Sequence, residues 1–224
     1  MNSAEGYLMR IRKYRAADRH AVEHIQFSTW FLGKSGALIA TDPKRFHKSI
    51  AYYLEEEPQS CFVAEESGKV VGYLLGCLDD RKHPEAISDY LLESCALLIQ
   101  LPFMPAKDRK HWWGTIKMIF AAATGRSQDA KFKVPKDAGH LHINLLPEVR
   151  GKGAGSRLLK AFFVYAKKKG VKAIHADSWQ TRLNPNKHFW LKNGFTEYSK
   201  VKTNFWKTHY PREDIRLVCY VKRF

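Results

Sequence analysis

The sequence predicts a single α/β domain elaborated by one helical insertion, and three observations predict it. Its 224 residues suit one domain with room for an elaboration. Segments with the two-residue apolar period of strands alternate with segments of helical period along most of the chain. One stretch, residues 79–139, breaks that rhythm: charged at both ends, it holds two apolar helical runs, 87–101 stopped by Pro102 and 112–123 stopped by Gly125. About 60 residues bury little surface alone, so this stretch reads as an insertion rather than a second domain.

In order along the chain, residues 7–13 alternate apolar and polar and read as a first strand. Residues 16–31 place Val22, Ile25, Phe27 and Trp30 at helical spacing. Thr41, Asp42 and Pro43 give a cap followed by a proline in the first turn, so a second helix is expected from there to about Glu57. Residues 61–65 and 70–78 are strand-like and are joined by Ser67, Gly68 and Lys69, a hairpin signal. After the insertion come a strand over 141–146, a glycine loop and a helix over 153–169. The stripe of that helix is Leu158, Leu159, Phe162, Phe163 and Ala166. Gly170 ends it behind Lys167, Lys168 and Lys169, which suit the negative end of the helix dipole. A strand over 171–176, a short helix over 186–192 and strands over 195–200 and 215–222 complete the chain.

Hydrophobic residues make up 45% and aromatics 13%, enough for a packed core, which argues against disorder. No apolar run approaches the roughly 20 residues of a membrane span, and the N-terminal residues lack a signal-peptide core. Cys61, Cys77, Cys95 and Cys219 are scattered and form no C-x-x-C pair, so reduced thiols in a cytoplasmic protein are expected. The net charge is +16, and residues 150–224 hold 18 of the 38 basic side chains against 4 of the 22 acidic ones. That concentration fits either a small polyanionic cofactor or a nucleic-acid surface.

The central signal is the run Pro147, Glu148, Val149, Arg150, Gly151, Lys152, Gly153, Ala154, Gly155, Ser156 between a strand and a helix. Glycines at alternate positions let successive N–H groups turn into one concavity, and a helix N-terminus adds unpaired N–H groups and a positive dipole end. The dipole alone contributes only about 0.3–1 kcal/mol, so several directed N–H bonds must act together. The spacing fails the P-loop pattern, where Gly-Lys precedes Ser or Thr, and fails the dinucleotide G-x-G-x-x-G pattern.

Arg150-x-x-Gly153-x-Gly155 resembles the R/Q-x-x-G-x-G/A signature of the GNAT acetyltransferase family. Residues 7–25, with Asp18 ahead of an apolar helix, are similar to that family's opening strand and helix. Residues 63–73 look like its hairpin, residues 189–195 like its F-Y-x-x-x-G-F segment, and residues 215–224 like its last strand. The resemblance covers roughly 1–78 and 140–224. Residues 140–146 are also similar to a branch that includes domains related to the O-GlcNAcase C-terminal region. The fold then expected is one domain over 1–224, a mixed and mostly antiparallel sheet with helices on both faces, with the insertion between the third and fourth strands.

The resemblance implies an acetyl-coenzyme A-dependent N-acetyltransferase. The backbone of Arg150, Gly151, Lys152, Gly153, Ala154, Gly155 and Ser156 would hold the coenzyme A pyrophosphate. The edges of Leu145 and Leu146, where the strands splay, would bond the pantetheine arm, and one of their N–H groups would polarise the thioester carbonyl. The acceptor would be a small-molecule or peptide amine, with no membrane and no nucleic acid as partner. Trp190 stands where the family often has the tyrosine that protonates the departing thiolate; Tyr198 is a substitute candidate, and unassisted departure is an alternative.

Acyl transfer to an amine needs a base, since an alkylammonium with a pKa of about 10.4 is no nucleophile at neutral pH. His142 and Asp177 are the candidates. His140 and His142 share one strand face, and Asp177 ends the next strand, where capping a turn is its other role. His20, Glu23 and His24 match the H-x-x-E-H zinc pattern, but no third ligand is signalled, so no metal is expected. Glu55, Glu56 and Glu57 are read either as a solvated face or as a lure for a cationic amine. Trp112 and Trp113 would line an acceptor pocket or bury a helix face, and a homodimer contact is a further role open to the insertion. A catalytically silent coenzyme A-binding protein and a basic nucleic-acid binder using Trp179, Trp190 and Trp206 are the alternative functions.

Overall fold

A computed structural model describes residues 9–30, 44–82, 101–103, 132–182, 184–204, 206–207 and 210–224, with single positions between 113 and 126. Among them are seven strands, β1 (Arg10–Lys13), β2 (Phe62–Glu66), β3 (Lys69–Cys77), β4 (Gly139–Leu145), β5 (Ala173–Gln180), β6 (Thr196–Lys202) and β7 (Arg216–Arg223). Four α-helices accompany them: α1 (Arg19–Thr29), α2 (Lys44–Glu55), α3 (Ala154–Lys168) and α4 (Lys187–Lys192). The strands form one sheet in the order β1-β2-β3-β4-β5-β7-β6, in which only the β4–β5 pair is parallel. The expected α/β domain with a mixed, mostly antiparallel sheet is what the chain forms.

Helices cover both faces. On one, Val22 and Ile25 of α1 and Ile50, Tyr53 and Leu54 of α2 pack against Val63, Tyr73, Leu75 and Cys77. On the other, Leu158, Leu159, Phe162 and Ala166 of α3 pack against Phe62, Leu74, Leu141 and Ile174, the stripe the sequence marks out, joined by Trp190 of α4. The entry to α1 is fixed by charge: Arg12 of β1 forks onto Asp18 (Nη1 to Oδ2 2.7 Å, Nη2 to Oδ1 2.8 Å) and reaches Glu65 of β2 through Nε at 2.7 Å. The Arg12 bonds hold the Asp18 carboxyl below the usual carboxylate range.

The elements differ from the sequence reading mainly at their ends. Residues 16–18 make a separate 3-10 turn before α1, because the Asp18 carboxylate accepts the Arg15 N–H at 2.8 Å and closes that turn on itself. β5 runs four residues past Ala176, drawn out by eight paired positions with β7. The hairpin after Glu66 turns on Ser67 and Gly68, both at positive φ. Cys61, Cys77 and Cys219 are buried free thiols. No described helix is long and apolar enough to cross a membrane. The cap at Thr41 to Pro43, Cys95, Trp112 and most of the two insertion helices lie outside the described residues.

Candidate active site

The sheet is split. β3 and β4 pair over six positions and β5 and β7 over eight, but β4 and β5 pair only at Gly139 with Ile174 and His140 with His175. Beyond His140 and His175 each strand follows its own outer partner, and a wedge opens between them. Backbone groups of successive residues alternate sides of a strand. The Leu146 N–H donates to Val71 O at 3.0 Å, so it is turned towards β3, which leaves the Leu145 N–H turned into the wedge. The Leu145 carbonyl accepts from Arg150 Nε at 3.0 Å. Of the two residues expected at the splayed edge, Leu145 thus offers the amide.

The loop between β4 and α3 lies below that edge. Gly151 (φ +78°) and Gly153 (φ +86°) adopt the left-handed conformation that side chains disfavour, and Gly153 caps α3. Val149 and Arg150 donate their N–H groups back to Leu146 and Pro147, and the first bond of α3 runs from Arg157 N to Gly153 O. Among the described residues, the N–H groups of Gly151, Lys152, Gly153, Ala154, Gly155 and Ser156 donate to no backbone carbonyl. Six such consecutive donors at a helix start form an anion cradle. Gly155 is needed for space: a Cβ there would stand 2.9 Å from Phe189 Cε2 and 3.4 Å from Leu145 Cδ1. From Ser156 a groove of about 510 Å³ runs along α3, lined by Lys160, Lys167, Lys192 and Lys222 with Phe163 and Asn193. Four of the C-terminal basic side chains thus line the groove that begins at Ser156.

The α1/α2 face of the wedge carries a polar network. Asp80, on the 3-10 turn after β3, lies 3.1 Å from His140 Nδ1 (to Oδ1) and 3.3 Å from His175 Nε2 (to Oδ2), ion-pair distances without hydrogen-bond alignment. The two imidazoles stack, centroids 5.4 Å apart, and His140 Nε2 meets the Tyr53 hydroxyl. His175 Nδ1 lies 3.4 Å from Asp177 Oδ1. Burial works against the His175 imidazolium, but the carboxylates of Asp177 and Asp80 outweigh it and push its pKa up to about 11. The two histidines in turn hold the Asp80 carboxyl well below its usual range.

His142 and Asp177 each sit two residues past the last paired position, on this same face, and so form the opposite lips of the wedge. His142 Nδ1 is 3.4 Å from the Tyr73 hydroxyl oxygen. Tyr73 donates its proton to Gln26 Oε1, and Asn144 Nδ2 donates to Tyr73 at 2.9 Å and to Gln26 at 3.1 Å. With the hydroxyl proton committed to Gln26, the Tyr73 oxygen can accept from an Nδ1–H of His142.

Other sequence candidates fall away from the wedge. Trp190 is buried, stacked on Tyr220 at 5.6 Å and 19°, with an indole N–H that has no partner. Tyr198 is exposed on the edge strand β6, beyond β7. Glu55 pairs with Arg19, and Glu57 accepts from Tyr52, Ser60 and the Leu78 N–H, which are structural duties. His20 and His24 are exposed on α1. Asp80, His175, Gln26 and Tyr73 escaped the sequence reading; the His175-Ala176-Asp177 alternation in a strand was the one available signal.

A sheet that splits above an anion cradle, with an inward-facing amide on one lip, is a geometry that suits an extended, phosphorylated ligand. The chain belongs to the acetyltransferase (GNAT) family, whose profile matches residues 20–195. It is an acetyl-coenzyme A-dependent N-acetyltransferase. Among solved structures it is similar to SsHAT, at 25% identity and a TM-score of 0.63 over 96% of this chain and 98% of that one. It is also similar in fold to a Drosophila melanogaster polyamine N-acetyltransferase that forms N-acetylagmatine, at 14% identity and a TM-score of 0.57 over 97% and 100%. A Staphylococcus aureus Mu50 N-acetyltransferase matches at 17% identity and a TM-score of 0.55 over 96% and 98%. Among curated proteins none matches the sequence.

Proposed function

We propose that this chain moves the acetyl group of acetyl-coenzyme A directly to a primary amine in a ternary complex, with His142 as general base. The observation that carries the reading is the coincidence of the six-amide cradle with a wedge whose lips bear His142 and Asp177.

The cradle fits a diphosphate: its donors are consecutive, meet no partner among the described residues, and have open space beside Gly151 and Gly153. Gly151 to Ser156 would bind the diphosphate through main-chain N–H groups, and Lys160 and Lys192 in the adjoining groove would meet a further phosphate. The thioester supplies the activated acyl group. The Leu145 N–H, turned into the wedge, donates to the carbonyl oxygen and stabilises the charge that grows there. The His142 imidazole removes the proton of the incoming ammonium, directly or through one water. Asp177, on the facing lip, supplies the negative charge that draws the ammonium in. Trp190 cannot serve as acid, because an indole N–H does not yield its proton; the thiolate, of a thiol with pKa about 8.5, leaves as the anion. The whole chain acts as one domain in this reading.

The test is a thiol-release assay with acetyl-coenzyme A across small amines, polyamines, amino sugars and peptide amines. Release with at least one amine, abolished by His142→Ala and by Gly153→Glu, supports the reading. Saturable coenzyme A binding with no release from any amine overturns it.

A further inference from the structure

We propose that His175, Asp177 and Cys219 form a binding site for a soft divalent cation, Zn2+ foremost, on the β5 lip of the wedge. Asp177 and Cys219 are direct cross-strand partners in the β5–β7 register, and His175 shares their face two residues earlier. One ligand atom from each, a ring nitrogen, a carboxylate oxygen and Sγ, all lie within 4.8 Å of one another. His175 Nδ1 and Asp177 Oδ1 are 3.4 Å apart. Two ligands bound to zinc at about 2.0–2.2 Å in a tetrahedron stand about 3.4 Å apart, so this edge already has the separation a shared ion demands.

The surroundings are built as a metal site's outer shell is built. A ligating imidazole ordinarily presents its second nitrogen to a carboxylate, which fixes the tautomer and the ring plane. Here His175 Nε2 faces Asp80 Oδ2 at 3.3 Å, leaving Nδ1 for the ion. Asp80 is itself held by His140 Nδ1 at 3.1 Å, and the His140 ring stacks on His175. His140 is anchored in turn by Tyr53 of α2. Binding displaces the Cys219 thiol proton and the His175 Nδ1 proton, so that one thiolate and one carboxylate balance the divalent ion beside a neutral imidazole, in a cluster whose His175 and Cys219 are buried. The thiolate selects zinc over magnesium or calcium. Asp177 is exposed, so a fourth position faces the wedge, as in zinc sites that keep an open place. One consequence, unlike the site, rests on assigning Asp177 to the acceptor side: the ion withdraws Asp177 from the amine, and Zn2+ inhibits transfer by raising the amine KM.

Cobalt substitution tests the site without reference to activity. Metal-free protein titrated with Co2+ is expected to take up one equivalent with visible d–d bands and a near-ultraviolet thiolate-to-cobalt charge-transfer band, both erased by Zn2+. Cys219→Ser removes the charge-transfer band. Asp177→Asn and Asp80→Asn each weaken binding about 10- to 100-fold. The double variant His20→Ala/His24→Ala changes neither the band nor the affinity. Circular dichroism checks that each variant is folded. Absence of the charge-transfer band in folded wild-type protein overturns the proposal, as does its survival in Cys219→Ser. Should Cys219→Ser fail to fold, undiminished affinity in Asp177→Asn, a change at an exposed position, overturns it equally.

Discussion

Replacing Gly153 by alanine separates the cost of backbone strain from the cost of a lost donor. Gly153 has φ +86° and open space where a Cβ would stand, so alanine meets no atom and only the left-handed conformation is penalised. That penalty is about 1–2 kcal/mol. For a chain of this size each kcal/mol moves the melting temperature by about 2–4 °C, so a fall of roughly 2–8 °C is expected. If the loop relieves the strain by rotating a peptide plane, one N–H turns away from the diphosphate. A hydrogen bond to a charged group contributes about 1.5–3 kcal/mol, so coenzyme A affinity falls roughly tenfold to a hundredfold. Gly68 is the internal control: it has φ +75°, equally open space, and sits in the β2–β3 turn, outside the loop between β4 and α3. Gly68→Ala is expected to lose similar stability and keep wild-type affinity. Calorimetric titration with coenzyme A beside thermal denaturation reads both quantities. Equal affinity in the two variants, with Gly153→Ala destabilised as calculated, refutes the reasoning.

His142→Ala is expected to lower kcat by roughly 10²- to 10⁴-fold, the usual contribution of a positioned base, with the acetyl-coenzyme A dissociation constant unchanged in titration. Changing Lys160 and Lys192 together to alanine removes about 1–2 kcal/mol of exposed charge pairing and so about tenfold in affinity for acetyl-coenzyme A, while 3′-dephospho-acetyl-coenzyme A binds as before. The depressed pKa of Asp18 gives a pH signature. Its stabilisation is complete above the unfolded value of about 3.9 and is lost as pH falls through the lower folded value. Urea midpoints followed downward from pH 5 drop less steeply in Asp18→Asn than in wild type; parallel slopes would contradict that assignment.

How much of this was legible beforehand depends on what each feature needs. The glycine loop is local: φ above zero at Gly151 and Gly153 follows from residue identity within a short stretch. The α3 stripe is equally local, since its buried positions are those of one helical face. The wedge is not local. It exists because β4 prefers six pairs with β3 and β5 prefers eight with β7, and nothing within β4 announces that Leu145 rather than Leu146 turns its amide inward. The Leu146 bond to Val71, 75 residues earlier, decides it. Asp80 was assigned to the insertion by composition, yet it packs on two histidines from separate strands. His175 hid in an apolar run whose burial it shares, and its partner Cys219 comes from a strand 44 residues further on. Trp190, at the position where the family often has a tyrosine, belongs to the core stack with Tyr220.

The central claim is that the amides from Gly151 to Ser156 bind the coenzyme A diphosphate. Nitrogen-15 NMR of protein labelled at glycine tests it directly, because Gly151, Gly153 and Gly155 report from within the cradle while Gly68 and Gly170 lie outside it. Titration with coenzyme A is expected to shift the three cradle amides downfield along one saturable isotherm and leave the two outside in place. Three unmoved cradle resonances under saturating coenzyme A would contradict the account.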